Sequence, residues 1–208
     1  MESGAQRTGR RELIDTAERL IAEQGPAVSL RQVVTAAGQR NSAAIRYHFG
    51  TREGLIAAVV DERQTLFEPR RLEMLTALEV SDEVTPRALL EALLTPVFDH
   101  QRAPMPSYHA RFMEKIRDFP GVVLTHRRDW TATTLILHRL TSAEVEAPTE
   151  VRAARTRGLI SVVFALLADL EREPFSTPGA RTVAEQTTLD MILGVILSSA
   201  PRASAPQP

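Results

Sequence analysis

The side chains best suited to chemistry lie in a polar stretch on either side of Gly38. They carry guanidinium, amide, hydroxyl, phenol and imidazole groups, which can bind phosphate oxygens and the edges of bases. The small Ala43 and Ala44 suit a helix that must enter a DNA major groove about 12 Å wide. We therefore predict DNA contacts from the following side chains: Ser29, Arg31, Gln39, Arg40, Asn41, Ser42, Ala43, Arg46, Tyr47, His48, Thr51 and Arg52.

Two short helices around a turn must position these side chains. Ser29 can cap the first helix, and Gln32 can complete a capping box three residues later. Gly38 allows a positive-φ turn, and Asn41 or Ser42 can cap a second helix over 42–48. The pattern is a helix-turn-helix and predicts DNA binding, although such helix pairs also occur in all-helical proteins that bind no nucleic acid.

Helices on both sides of this pair complete a small domain. Apolar residues recur with helical spacing over 11–24, and Gly25-Pro26 ends that helix. Thr51 can cap a further helix near 51–79. Arg7, Arg10 and Arg11 can act as an N-terminal arm that reaches DNA, or they can belong to a frayed charged terminus.

Residues from about 10 to 60 resemble the DNA-binding domain of the TetR family of transcriptional regulators. The resemblance rests on Ala37-Gly38, on Tyr47-His48-Phe49 and on Thr51-Arg52-Glu53-Gly54-Leu55. Arg52 stands where the family usually has Lys, Arg46 stands where it usually has an aromatic residue, and the turn after Gly38 is one residue longer. The resemblance implies about nine helices and a dimeric, ligand-responsive repressor that binds a near-palindromic operator.

Charge is distributed unevenly along the chain. Residues 1–60 carry a formal net charge of +2 and the remainder carries −3, with His neutral. The weak positive charge of residues 1–60, here called the head, predicts few phosphate contacts per protomer. Affinity for double-stranded DNA should then depend on two heads that bind together, and it should fall as the salt concentration rises.

Composition and motifs restrict the remaining function classes. The chain of 208 residues contains no Cys, which excludes disulfides and thiol catalysis, and its apolar runs are too short to cross a bilayer. Common nucleotide-binding, hydrolase and metalloprotease motifs are absent, so we expect no enzyme, no cofactor and no metal site. We expect a cytoplasmic protein that does not bind membranes.

The fold class predicted is all-α, since no segment alternates with a period of two. We expect a helix-turn-helix domain over 1–60 with a flexible arm over 1–9, a helical ligand-binding and dimerisation domain over 61–200, and a disordered tail over 201–208. Pro96 should kink or break its helix. After the helix near 51–79, helices are predicted near 86–101, 107–118, 121–144, 149–172 and 180–199.

Small side chains recur along one face of each of the last two long helices. Such a stripe permits close helix approach, either inside the core of one chain or between the two chains of a dimer. What is known of the TetR family favours the dimer. The predicted interface residues are Ala154, Gly158, Ser161, Ala165, Thr187, Met191, Gly194 and Ser198.

Aromatic and apolar residues of the middle helices can line a cavity for an unidentified small-molecule effector, or they can be ordinary core. The candidates are Phe98, His109, Phe112, Met113, Trp130, Thr134, Leu137 and Phe164. Two functions remain open at this point: a dimeric ligand-responsive repressor, and a helical small-molecule-binding or interaction protein that lacks specific DNA recognition.

Overall fold

The computed structural model describes residues 4–39, 42–119, 131–141 and 149–198, and these residues form nine α-helices and no strand. The all-α prediction is confirmed. The helices are α1 Gly4–Gln24, α2 Leu30–Ala36, α3 Ser42–Phe49, α4 Arg52–Ser81, α5 Pro86–Arg102, α6 His109–Ile116, α7 Thr131–Thr141, α8 Thr149–Arg172 and α9 Pro178–Ser198.

Two of the differences from the sequence prediction concern α1 and α5. The sequence predicts a flexible arm over 1–9, but residues 4–9 form the first turns of α1. Ala5, Gln6 and Arg7 favour helix, and no Pro interrupts it. α5 continues unbroken through Pro96, so of the two predicted outcomes, a kink or a break, the break is wrong. In the turn before this proline, the Leu93 carbonyl accepts a hydrogen bond from Arg71 Nε at 3.0 Å. This tertiary contact ties α5 to α4.

The N-terminal core unites α1, α2, α3 and the start of α4. Leu13, Val33, Ile45 and Ile56 are among its buried residues. Three residues of α6 belong to the same cluster, so this core extends beyond the predicted head, residues 1–60, and includes part of the body, the predicted domain over 61–200. They are Phe112, Met113 and Ile116.

The C-terminal core lies among α4, α5, α6, α7, α8 and α9, with Phe67, Leu90, Ile136 and Ile192 among its buried residues. α4 contributes to both cores, because Ile56 lies in the first and Phe67 in the second. The predicted boundary at residue 60 therefore falls inside one continuous helix. α4 and α6 therefore contribute to both cores.

The N-terminus of α6 is fixed by a carboxylate from α8. Glu171 accepts hydrogen bonds from the backbone N–H groups of Ala110 at 3.2 Å and Arg111 at 3.1 Å. These N–H groups have no partner within the helix. α6 begins at His109, two residues after the predicted start near 107, and its cap comes from a residue about 60 positions away in sequence.

Candidate functional site

The first helix of the predicted pair, α2, has the expected cap. Ser29 Oγ accepts from the Gln32 backbone N–H at 3.3 Å, and Gln32 Oε1 accepts from the Ser29 backbone N–H at 2.8 Å. The predicted capping box is confirmed. Gly38 has φ +67°, the conformation expected for the turn that leads to α3.

α3 presents one apolar and one polar face. Ile45 and Phe49 are buried in the N-terminal core. Arg46 is exposed, and 78% of Tyr47 is exposed. His48 is half-buried and lies edge-on to Tyr47, with ring centroids 5.2 Å apart. The described outer surface of α3 therefore offers a guanidinium and a phenol side by side, which suits contact with phosphates and base edges.

Two predicted DNA-binding side chains instead contact residues that are distant in sequence. Gln39 is half-buried and donates from Nε2 to Glu12 of α1 at 3.3 Å. The Arg52 guanidinium lies over the ring of Phe119, 5.4 Å from its centroid. Both side chains would have to leave these partners to hydrogen-bond a base or a phosphate. The sequence alone does not reveal either contact, because both partners are distant along the chain.

The other predicted DNA-binding residues lie as follows. Ser29, Arg31 and Thr51 are exposed. Arg40 and Asn41 lie outside the described residues, as do the side chains of Ser42 and Ala43 at the start of α3. The predicted contacts at these four positions remain predictions.

The junction of α3 and α4 requires glycine. Thr51 Oγ1 accepts from the Gly54 backbone N–H at 3.1 Å, as expected of a cap. A Cβ atom on Gly54 would lie 2.0 Å from the Phe49 carbonyl oxygen. No side chain fits at that distance without a shift of the backbone. The absence of a side chain at residue 54 therefore sets how closely α4 approaches the end of α3.

A cavity of about 470 Å³ lies in the body, bordered by residues of α4, α5, α6, α7, α8 and α9. Five of the eight predicted ligand contacts line it: His109, Met113, Thr134, Leu137 and Phe164. Most of the wall is apolar, as is usual for a small-molecule site of this size.

Two predicted ligand contacts do not line the cavity. Phe98 is buried in the C-terminal core and Phe112 in the N-terminal core. Their rings are needed to fill space between helices, which periodicity cannot distinguish from lining a cavity. Trp130 lies outside the described residues.

Sequence reasoning missed Arg71, a charged residue in the cavity wall. It is only 3% exposed and donates from Nη1 to Gln64 and to Thr133 Oγ1. A signal existed: Arg71 interrupts an otherwise apolar stripe of α4 between Phe67 and Leu75. Burial lowers its pKa to about 10, although the charge of Glu68 acts in the opposite direction. Arg71 therefore stays protonated at neutral pH.

A buried polar cluster joins the cavity to the head. His109 of α6 lines the cavity, and its Nδ1 lies 3.4 Å from Glu18 Oε1 of α1. Arg63 of α4 donates to the same carboxylate from Nε at 2.9 Å. Burial alone would raise the pKa of Glu18, but the interactions with His109 and Arg63 outweigh burial and lower the pKa to about 2. A charged carboxylate thus links α1, α4 and α6.

The predicted dimer face on α8 and α9 lies at the surface. Ser161 and Ala165 are half-buried, and the other six predicted residues are exposed. A Cβ atom on Gly158 or Gly194 would meet nothing within 4 Å. Packing within the chain therefore does not explain these glycines, although each costs a helix interior about 1 kcal/mol relative to Ala. Large apolar side chains accompany them, with Val183 67% and Leu197 55% exposed.

The described residues include no group of three or more His, Asp or Glu side chains arranged to hold a metal ion. Among those same segments, no helix combines the length and the apolar character needed to span a membrane.

Comparison with known proteins identifies the N-terminal domain. Residues 13–59 match the family model described as bacterial regulatory proteins, tetR family. The match runs from Leu13 in α1 to Val59 in α4 and contains the capping box, the Gly38 turn, α3 and the Gly54 junction. It covers about a quarter of the chain. A search of curated proteins finds no match.

Proposed function

We propose that the chain, whose residues 13–59 match the tetR family model, is a DNA-binding regulator of that type and acts as a ligand-responsive repressor. It binds a near-palindromic operator as a homodimer and leaves the operator when a small molecule fills the cavity. The role is regulatory and not enzymatic, and contact with bacterial DNA requires a cytoplasmic protein.

The observation that carries the proposal is the double role of α6. Met113 lines the cavity and also belongs to the N-terminal core that holds α3. His109 lines the same cavity and contacts Glu18 of α1. A ligand that displaces α6 therefore acts directly on the helices of the head. The ligand must bind the DNA-incompetent arrangement more tightly, or the equilibrium does not shift.

The exposed face of α8 and α9 supports the homodimer. Pairing with the same face of a second chain would bury Val183, Met191 and Leu197 and would give Gly158 and Gly194 a packing role. Two heads held at a fixed distance would read two half-sites about 34–36 Å apart or at a related spacing, which explains the expectation of a near-palindrome.

DNA taken from beside the protein's own gene provides the test, with binding followed by fluorescence anisotropy at several salt concentrations. We expect a saturable preference for one near-palindromic segment, lost in Tyr47→Ala and in Arg46→Ala. Met105→Ala is the matched control for Tyr47, because Met105 is equally exposed but lies between α5 and α6. Equal affinity of the wild-type protein for random duplex would contradict the proposal and favour a small-molecule-binding protein without specific DNA recognition.

A further inference from the structure

Arg71 is a buried cation without a carboxylate partner in the described part of the chain. Its Nε and Nη1 donate to the Leu93 carbonyl, to Gln64 Oε1 and to Thr133 Oγ1, all of which are uncharged groups. Nη2 has no hydrogen-bond partner among the described residues. The guanidinium also lies over the ring of Phe67, 5.3 Å from its centroid. These contacts hold the planar guanidinium in the cavity wall, and Nη2 remains available to donate a hydrogen bond to a ligand.

Glu68, the carboxylate whose charge acts on Arg71, is engaged elsewhere. It accepts hydrogen bonds from the backbone N–H groups of Ala132 and Thr133 at the start of α7, and from Thr133 Oγ1 at 2.7 Å. Thr133 thus separates the carboxylate from Arg71. Glu68 holds the Arg71 guanidinium in place only indirectly, through the Thr133 hydroxyl, and does not form an ion pair with it.

The surroundings of Arg71 are suited to an amphipathic anion. A buried guanidinium without a carboxylate partner is costly, and a carboxylate that accepts from it gains a charge-assisted hydrogen bond in a site shielded from water. The remaining wall would contact an apolar body. Its aliphatic residues include Leu90, Leu94, Leu137, Val163, Ile192 and Ile196.

We propose that the cavity binds a monocarboxylate with an apolar body, whose carboxylate accepts hydrogen bonds from Arg71 while the body lies among α5, α7, α8 and α9. This inference rests on the proposed function in that the same cavity would hold the effector. Thr134 and His138 also line the cavity and are exposed, so they mark the end at which such a ligand enters.

Calorimetric titration of the full-length protein with decanoate, decanamide, decanol and decylamine provides the test, because the four compounds share an apolar chain and differ in the head group. We expect decanoate to bind about tenfold or more tightly than decanol, in line with a hydrogen bond to a charged group, and decylamine to bind least. A decanol affinity equal to that of decanoate, or no binding of decanoate, would overturn the inference.

Arg71→Met keeps much of the side-chain volume and removes the charge. We expect this variant to bind decanoate no better than decanol. Its melting temperature is measured to show that it folds, because the loss of a costly buried charge is opposed by three acceptors that lose their donor. Arg70→Met is the matched control, since Arg70 is the neighbouring residue of α4 but is exposed and pairs with Glu73 at 2.7 Å. Tight binding of decanoate by folded Arg71→Met would contradict the assignment.

If Arg71→Met does not fold, Arg71→Lys keeps the charge but loses the planar fork. It should still prefer decanoate over decanol, with a lower affinity for decanoate than the wild type. A Lys variant with no preference between the two compounds would contradict the role of the charge.

DNA binding separates this inference from the proposed function. If decanoate binds through Arg71 but leaves the affinity for DNA unchanged, the carboxylate site stands and the proposed ligand response fails. If only neutral compounds bind in the cavity and release DNA, the ligand response stands and the carboxylate assignment is wrong.

Discussion

Glu18 gives a quantitative prediction about the link between head and cavity. Its side chain is buried, and its pKa is lowered from 4.5 to about 2 in the folded protein. Such a shift corresponds to about 3 kcal/mol of stability. Between these two pKa values the unfolded chain binds the proton and the folded protein does not. The contribution is therefore complete above about pH 5 and is lost as the pH falls towards 2.

The perturbation is Glu18→Gln, which keeps the size of the side chain and removes its charge. Urea unfolding of wild type and variant, measured at intervals from pH 6 to pH 2, gives the difference in their free energies of unfolding. We expect this difference to shrink by about 3 kcal/mol across that range, because protonation removes the charge from the wild type as well.

Glu73→Gln is the control for the loss of any carboxylate, because Glu73 is exposed on α4. Its difference from the wild type should stay within about 0.5 kcal/mol at every pH. A difference between wild type and Glu18→Gln that is constant from pH 6 to pH 2 would refute the reasoning, since it would mean that Glu18 titrates alike in the folded and unfolded states.

Three further predictions concern the head and the dimer. Gly54→Ala should cost about 2 kcal/mol or more of unfolding free energy, because its Cβ collides with the Phe49 carbonyl; an unchanged melting temperature would contradict this close approach. Gly158→Leu should leave the chain folded and weaken the dimer in sedimentation velocity, whereas Ala77→Leu, at an exposed position of α4, should not; a dimer unaffected by Gly158→Leu would argue against this face. Phe119→Ala should free Arg52 to meet phosphates and raise the affinity for DNA, measured well below the melting temperature because Phe119 also packs against the N-terminal core; identical DNA affinity would show that the stacking does not restrain Arg52.

Local signals in the sequence predicted the helix pair well. The capping box of Ser29 and Gln32 spans four residues, and the Gly38 turn depends on the backbone of one residue. Caps and turns of this kind depend on residues that are adjacent in sequence, so the residue types at those positions are enough to predict them. The same holds for the Thr51 cap of α4.

Features that depend on distant residues could not be predicted in this way. The start of α6 is set by Glu171, the position of Arg52 by Phe119, and that of Gln39 by Glu12. In each case the partner is distant along the chain, and a single sequence does not reveal which segments meet. The same limit explains why Phe98 and Phe112 were predicted to line a cavity although they fill the cores.

The charged residues of α1 and α4 include three that lie on buried helix faces. Glu18, Arg63 and Arg71 occupy helix positions that periodicity assigns to buried faces. A buried charge requires a partner or a ligand, so such interruptions of an apolar stripe mark polar sites inside the fold. In this protein they mark the cluster of Glu18, Arg63 and His109, and the Arg71 guanidinium in the cavity wall.

The most direct test of the central claim is the stoichiometry and selectivity of DNA binding by the full-length protein, measured by sedimentation with labelled duplexes at moderate salt. We predict two chains on one near-palindromic duplex from beside the gene, and loss of that complex when the duplex is scrambled. Binding of one chain per duplex, or equal binding to the scrambled sequence, would contradict a dimeric operator-specific regulator.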